Sequence, residues 1–143
     1  MDSPAATMRV AEIERSVHVT YTEYFADFQR FDPAATAAHF AAPLCRVSTS
    51  GPLTLLTEAE IRQWLVTTWE GMAARRYGGA TTTSRTVTVL DARTVLLRAR
   101  GTRHDLSGAP LEDFDVLYVL VRRDDRGRWR IAVVTPVDPA GVT

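Results

Sequence analysis

The sequence predicts an α+β domain in which three N-terminal helices pack in the concave face of a curved antiparallel sheet, a cone-shaped α+β barrel. Three observations carry that expectation. Apolar residues near the N-terminus recur at spacings of three and four, the mark of helices with one buried stripe. From Thr81 onward the period changes to two and β-branched residues dominate. Short turn signals at Asp91, at Ser107 and Gly108, and at Asp125 to Gly127 join the later segments, and turns of that length suit antiparallel neighbours. Helices first and a strand meander after them leave a sheet that wraps around the helices, with a conical cavity at its open end where a ligand would sit.

The first helix is the longest, with Val10, Ile13, Val17, Tyr21, Tyr24, Phe28 and Phe31 on one stripe. Asp32 as N-cap and Pro33 at the first helical position start a short second helix through Ala34 to Phe40, which stops before Pro43. Leu44 to Ser50 and Leu53 to Leu56 read as a small hairpin around Gly51 and Pro52. Thr57 with Glu60 forms a capping box ahead of Ile61, Trp64, Leu65, Trp69 and Met72, and this third helix ends at Arg75 and Arg76 before Gly78 and Gly79, which can take left-handed conformations. Strands follow over Thr81 to Leu90, Thr94 to Asp105, Glu112 to Arg123 and Trp129 to Thr135.

With 143 residues and 45% of them hydrophobic, the chain can bury one core without disulfides or metals. A single domain is expected over residues 9–137, with disordered ends at 1–8 and 138–143. The 17 basic residues are all arginine and balance 17 acidic ones, so no overall field favours a nucleic acid. The longest apolar run, Val116 to Val121, is far below the roughly 20 residues of a membrane span. Met1 to Met8 lacks the basic and apolar regions of a secretory signal, and the expected location is cytoplasmic. The single Cys45 permits no internal disulfide and reads as an inert, small apolar residue. His18, His39 and His104 lie on separate elements, so no metal is expected. There is no glycine-rich phosphate loop and no Gly-x-Ser-x-Gly elbow, so no cofactor is expected either.

The strands from Leu96 to Val121 carry most of the polar chemistry. One register around Ser107 and Gly108 sets His104 opposite Asp113 and Thr102 opposite Asp115, leaving Arg98 and Arg100 opposite Val119 and Leu117, all on one face. His104 beside Asp113 is then a candidate base held in one tautomer by a carboxylate, with Asp115 as a further catalytic candidate; the competing reading is a set of sheet-surface ion pairs. The other face, with Val95, Leu97, Ala99, Phe114, Val116, Tyr118 and Leu120, is wholly apolar and by patterning meets the helices.

The stretch YFADFQRFD from Tyr24 to Asp32, the following HFAAPLCRVSTSG and the late RRDDRGRWRI, in this order and spacing, resemble the nuclear transport factor 2-like superfamily over Val10 to Val137. This is the fold of ketosteroid isomerases, limonene epoxide hydrolases and SnoaL-like polyketide cyclases. The resemblance implies a homodimer through the outer sheet face and a pocket between the sheet and the first helix. It implies no single chemistry, since members catalyse different reactions and some catalyse none. Tyr24 stands where the isomerases have a helix-one tyrosine, and Trp69 at a pocket position. Ser48 stands where they have their general base; a hydroxyl cannot abstract a proton unaided, so isomerase activity is not expected. The family's second acid falls near Leu117 or Val119, and the hydrolase constellation cannot be mapped. Alignment by the turns turns the Asp113 to Val119 alternation toward the pocket, against the patterning argument, and both orientations remain open at the sequence level. The expected ligand-binding residues are Tyr24, Phe28, Ser48, Trp69, Arg100 and Tyr118. The expected function is binding of a small apolar molecule; the alternative is acid–base catalysis on a polyketide-like or steroid-like substrate, by isomerisation, cyclisation or hydrolysis.

Overall fold

A computed structural model describes residues 3–138. Helix α1 runs Pro4–Gln29, capped by the Ser3 hydroxyl, which accepts from the Ala6 amide. It therefore takes in residues 4–8, expected from the sequence to be disordered, because Ser3 and Pro4 form an N-cap and first-turn pair ahead of the apolar stripe. Of the expected frayed ends, Met1, Asp2 and 139–143 lie outside the described residues. Asp32 caps the short α2, Pro33–Ala37, which ends three residues earlier than expected because Phe40 already pairs with Ile131.

Strands β1 (Phe40–Ser48) and β2 (Gly51–Leu55) form the expected hairpin, and α3 (Glu58–Ala74) carries the complete capping box of Thr57 and Glu60. Then come β3 (Tyr77–Asp91), β4 (Thr94–Asp105), β5 (Pro110–Val121) and β6 (Arg130–Pro136). The left-handed turn expected at Gly78 and Gly79 begins two residues earlier, at Arg76 with φ 62°. Gly78 is needed for a different reason: a Cβ there would lie 2.4 Å from the Asp105 carbonyl oxygen.

The strands form one six-stranded sheet in the order β2-β1-β6-β5-β4-β3. It is not wholly antiparallel, because β1 and β6 pair in parallel, and it is curved without closing into a barrel. Register shifts along the β3–β4, β4–β5 and β5–β6 ladders supply local bends. Ile13, Val17, Tyr21 and Tyr24 of α1 and Ile61, Leu65 and Trp69 of α3 are buried against Leu97, Val116, Tyr118 and Leu120 on the concave face. The polar contacts that fasten α1 include the Tyr21 and Thr82 hydroxyls, 2.8 Å apart, and Trp129 Nε1, which donates to Ser16 Oγ at 2.8 Å.

The β4–β5 register differs by two residues from the one read off the sequence: Thr102 faces Asp113, Arg100 faces Asp115, and His104 faces Pro110. The extra residue is taken up at a bulge between Arg103 and His104. An even slip preserves the faces, so Val95, Leu97, Ala99, Phe114, Val116 and Tyr118 look inward and are buried. Patterning, not alignment by turns, decides the orientation.

Candidate functional site

Between the concave face and helices α1 and α3 lies a chamber of about 130 Å³. Phe25 and Phe28 of α1, Trp64 and Met72 of α3, and Phe114 and Val116 of β5 make its walls apolar. The rings meet at tilted and edge-on angles, with Tyr24 and Tyr118 centroids 5.8 Å apart at 73°. At the chamber's inner end these two tyrosines, 6% and 5% exposed, are buried side by side. Burial pushes both phenols well above their ordinary value of 10.0, so both remain protonated at any physiological pH. Both line the chamber, and each protonated phenol is a donor available to a ligand oxygen.

The chamber opens into a vestibule of about 200 Å³ that shares Thr68, Met72, Tyr77 and Arg103 with it. Arg103 lies on the inward side of β4, with its guanidinium 5.3 Å from the Phe114 ring centroid and 3.2 Å from Glu112 Oε1. Glu112 Oε2 is 2.9 Å from Arg75, and the hydrogen bond from Arg75, with Arg103 beside it, holds the Glu112 carboxyl below the usual carboxylate range. Tyr77 donates to Gln29 Oε1 at 2.6 Å, closing the side of the vestibule. Two guanidinium groups against one carboxylate leave the mouth net positive, while the interior holds proton donors and no free carboxylate or imidazole.

Of the residues expected to bind a ligand, Tyr24, Phe28 and Tyr118 line this chamber. Trp69 does not line it: it is buried behind Phe28, 5.5 Å away, and its Nε1 has no partner, whereas Trp64, five residues earlier and so on another side of α3, faces the cavity. Ser48 sits at the β1–β2 turn, 2.8 Å from the Ser50 hydroxyl, and Arg100 is on the outer face, 3.3 Å from Asp115. The three catalytic candidates are also displaced from the cavity. Asp115 accepts two hydrogen bonds from Arg98, at 2.9 and 2.8 Å, and these, Arg98 first and then Arg100, hold its carboxyl below the ordinary range. Asp113 accepts from Thr102 at 3.0 Å, and His104, opposite Pro110 and so three residues out of the expected register, makes no pair with it. Asp113 and Asp115 thus make an outer-face hydrogen bond and ion pairs, the reading that competed with catalysis at the sequence level, while His104 Nδ1 is buried without a partner.

Arg103 was missed, although a signal for it existed: it has the parity of Val95, Leu97 and Ala99, so strand alternation turns it inward with them. A second cluster had no such signal. His39, 3% exposed, has Nε2 2.7 Å from Asp27 Oδ2 and Nδ1 3.3 Å from an Arg128 nitrogen, joining residues 12 and 89 positions apart. Among the described residues, no group of three or more His, Cys, Asp or Glu side chains is placed to hold a metal ion, and no helix is long and apolar enough to cross a membrane.

Solved structures with this architecture include an NTF2-like protein with a cystatin-like fold from Novosphingobium aromaticivorans, with TM-score 0.74, 18% identity, and 99% of this chain and 93% of that chain covered. A ketosteroid isomerase-like protein from Erwinia carotovora atroseptica superposes with TM-score 0.64 at 16% identity, covering 87% and 96% of the two chains. The yeast UBP3-associated protein BRE5 superposes with TM-score 0.65 at 14% identity, covering 85% and 92%. Identities this low speak to the fold alone. No curated protein matches the chain. The family of NTF2-like proteins designated DUF6841 matches residues 12–139, nearly the whole described fold, and the chain belongs to that family.

Proposed function

We propose that this protein binds a small, largely apolar molecule with one anionic or strongly polar end, its apolar body in the chamber and its polar end at Arg103. The observation that carries this reading is the distribution of polarity: aromatic walls, protonated phenols at the inner end, and a net positive mouth. An apolar cavity near 150 Å³ accommodates about one benzene-sized ring. The chamber is of that order, and a polyketide-like or steroid-like body would extend into the vestibule. The acid–base alternative finds less support. A proton-abstracting base must be unprotonated and free to move, and the nearest carboxylate, Glu112, is engaged by Arg75 and Arg103.

The test is titration with benzoate and cyclohexanecarboxylate, followed by Trp64 fluorescence. The expected result is saturable binding, weakened about tenfold or more by Arg103→Gln, because a charge-assisted hydrogen bond contributes about 1.5–3 kcal/mol. Arg98→Gln, on the outer face, should leave binding unchanged. Absence of saturation, or equal weakening by both variants, would overturn the reading.

The same proposal includes self-association through the outer face. There Leu96, Val119, Val133 and Cys45 fall opposite one another across four strands, an apolar row that a second copy would cover.

A further inference from the structure

A second concavity, of about 520 Å³, lies where the ends of β1, β5 and β6 converge, away from the chamber. Arg122, Arg123, Arg128 and Arg130 line it, together with the backbone of Ala41 and Ala42 and a single carboxylate, Asp124. We propose that this cleft binds a small, multiply charged oxyanion, a phosphate ester or a polycarboxylate.

The volume is in the range of ordinary ligand pockets, roughly 300–1,000 Å³. The charge is concentrated: four guanidinium groups face one carboxylate in a chain whose formal net charge is zero. Asp124 is occupied by its own turn, where Oδ1 accepts from the Arg126 amide at 2.9 Å. Two of the arginines are anchored. Arg122 lies 4.3 Å from the Trp129 ring centroid and donates from Nε to the Ala92 carbonyl at 2.7 Å. Arg128 donates to His39 Nδ1 at 3.3 Å, which leaves the Nε2–H of His39 to donate to Asp27 at 2.7 Å. The other two, Arg123 and Arg130, are exposed and have no ion-pair partner among the described residues.

A cleft with two fixed and two free guanidinium groups repels itself when empty and is relieved by an anion. The planar fork of each guanidinium matches the oxygen pairs of phosphate and carboxylate. A nucleic-acid duplex is the poorer fit, because backbone recognition calls for a broad basic face and this chain concentrates its excess charge in a single hollow.

The experiment titrates the full chain with sodium pyrophosphate and, in a separate arm, with citrate, by isothermal calorimetry at about 50 mM salt, where screening is modest. Saturable binding of either anion with Kd below about 1 mM is expected, weakened about tenfold or more in the Arg123→Gln/Arg130→Gln double variant. Arg62→Gln, a remote exposed arginine paired with Glu58, should change nothing. Because Arg123 and Arg130 are exposed, the double variant should melt with the wild type, so that lost binding reports the site. A preference for pyrophosphate identifies the phosphate ester as the source of the charge, and a preference for citrate the polycarboxylate. No saturation up to about 10 mM of either, equal weakening by Arg62→Gln, or tighter binding of a DNA duplex than of both small anions would overturn the proposal.

Discussion

Tyr24 and Tyr118 are buried side by side, their ring centroids 5.8 Å apart, where a hydroxyl is costly to leave without a partner and each has the other beside it. Tyr118→Phe should destabilise the fold by about 0.5–1.5 kcal/mol in urea unfolding. Adding Tyr24→Phe should cost much less than its single effect, since the second change removes a group already stranded; full additivity would mean the pair does not act as a unit. A second residue-scale effect concerns acid. The hydrogen bond from His39, and after it the one from Arg30, hold the Asp27 carboxyl below its ordinary 3.8. Above that value the stabilisation is fully present; as the pH falls, the unfolded chain takes up a proton before the folded one, and the contribution disappears once the lowered folded value is passed. Asp27→Asn should therefore be less stable at neutral pH and lose less stability than wild type between about pH 5 and pH 3, as read by denaturant midpoints at each pH. A variant that loses as much would show that Asp27 is not the titrating group. Tyr24 was legible in the sequence, because a phenol on a buried helical stripe requires a partner. His104 and Asp113 were misread as a pair because opposition across a hairpin depends on a bulge that no residue pattern announced.

Gly101 in β4 shapes the chamber wall at the level of the element. A methyl there would lie 2.0 Å from the Thr81 carbonyl oxygen and 2.6 Å from Phe114 Cζ, so the Phe114 ring lies directly over bare backbone. The carbonyl belongs to the β3–β4 ladder and cannot withdraw without breaking it. Gly101→Ala should cost at least about 1–3 kcal/mol, lowering the urea midpoint at unchanged slope; a neutral result would mean that the ladder yields more easily than its hydrogen bonding implies. At the start of α3, Thr57→Ala removes the hydroxyl that accepts from the Glu60 amide at 3.2 Å and should cost about 0.5–2 kcal/mol. The capping box was readable because cap chemistry is local, fixed by residues three apart. The parallel pairing of β1 with β6 was not, since it joins segments some 90 positions apart and no turn between them encodes it.

The molecule as a whole presents two unlike sheet faces, and their difference argues for assembly. The inner face is occupied by helices. The outer face has none among the described residues, yet beside its Arg98–Asp115 ion pair it carries the apolar row of Leu96, Val119, Val133 and Cys45, which runs from β4 to β1. Period-two alternation made both faces legible in the sequence; the arginine cleft was not, because its charges converge only when a turn and three strand ends meet. An apolar row ringed by arginine and carboxylate suits a two-fold contact, in which each row covers the other and the polar rim pairs across it. Sedimentation equilibrium at micromolar concentration should therefore give twice the 15.9 kDa chain mass. Val119→Arg places a charge at the middle of the row without touching the inner core, so it should give a 15.9 kDa species with wild-type circular dichroism. A wild-type chain that sediments as the monomer, or a Val119→Arg variant that remains a dimer, would remove the outer face from consideration as the contact.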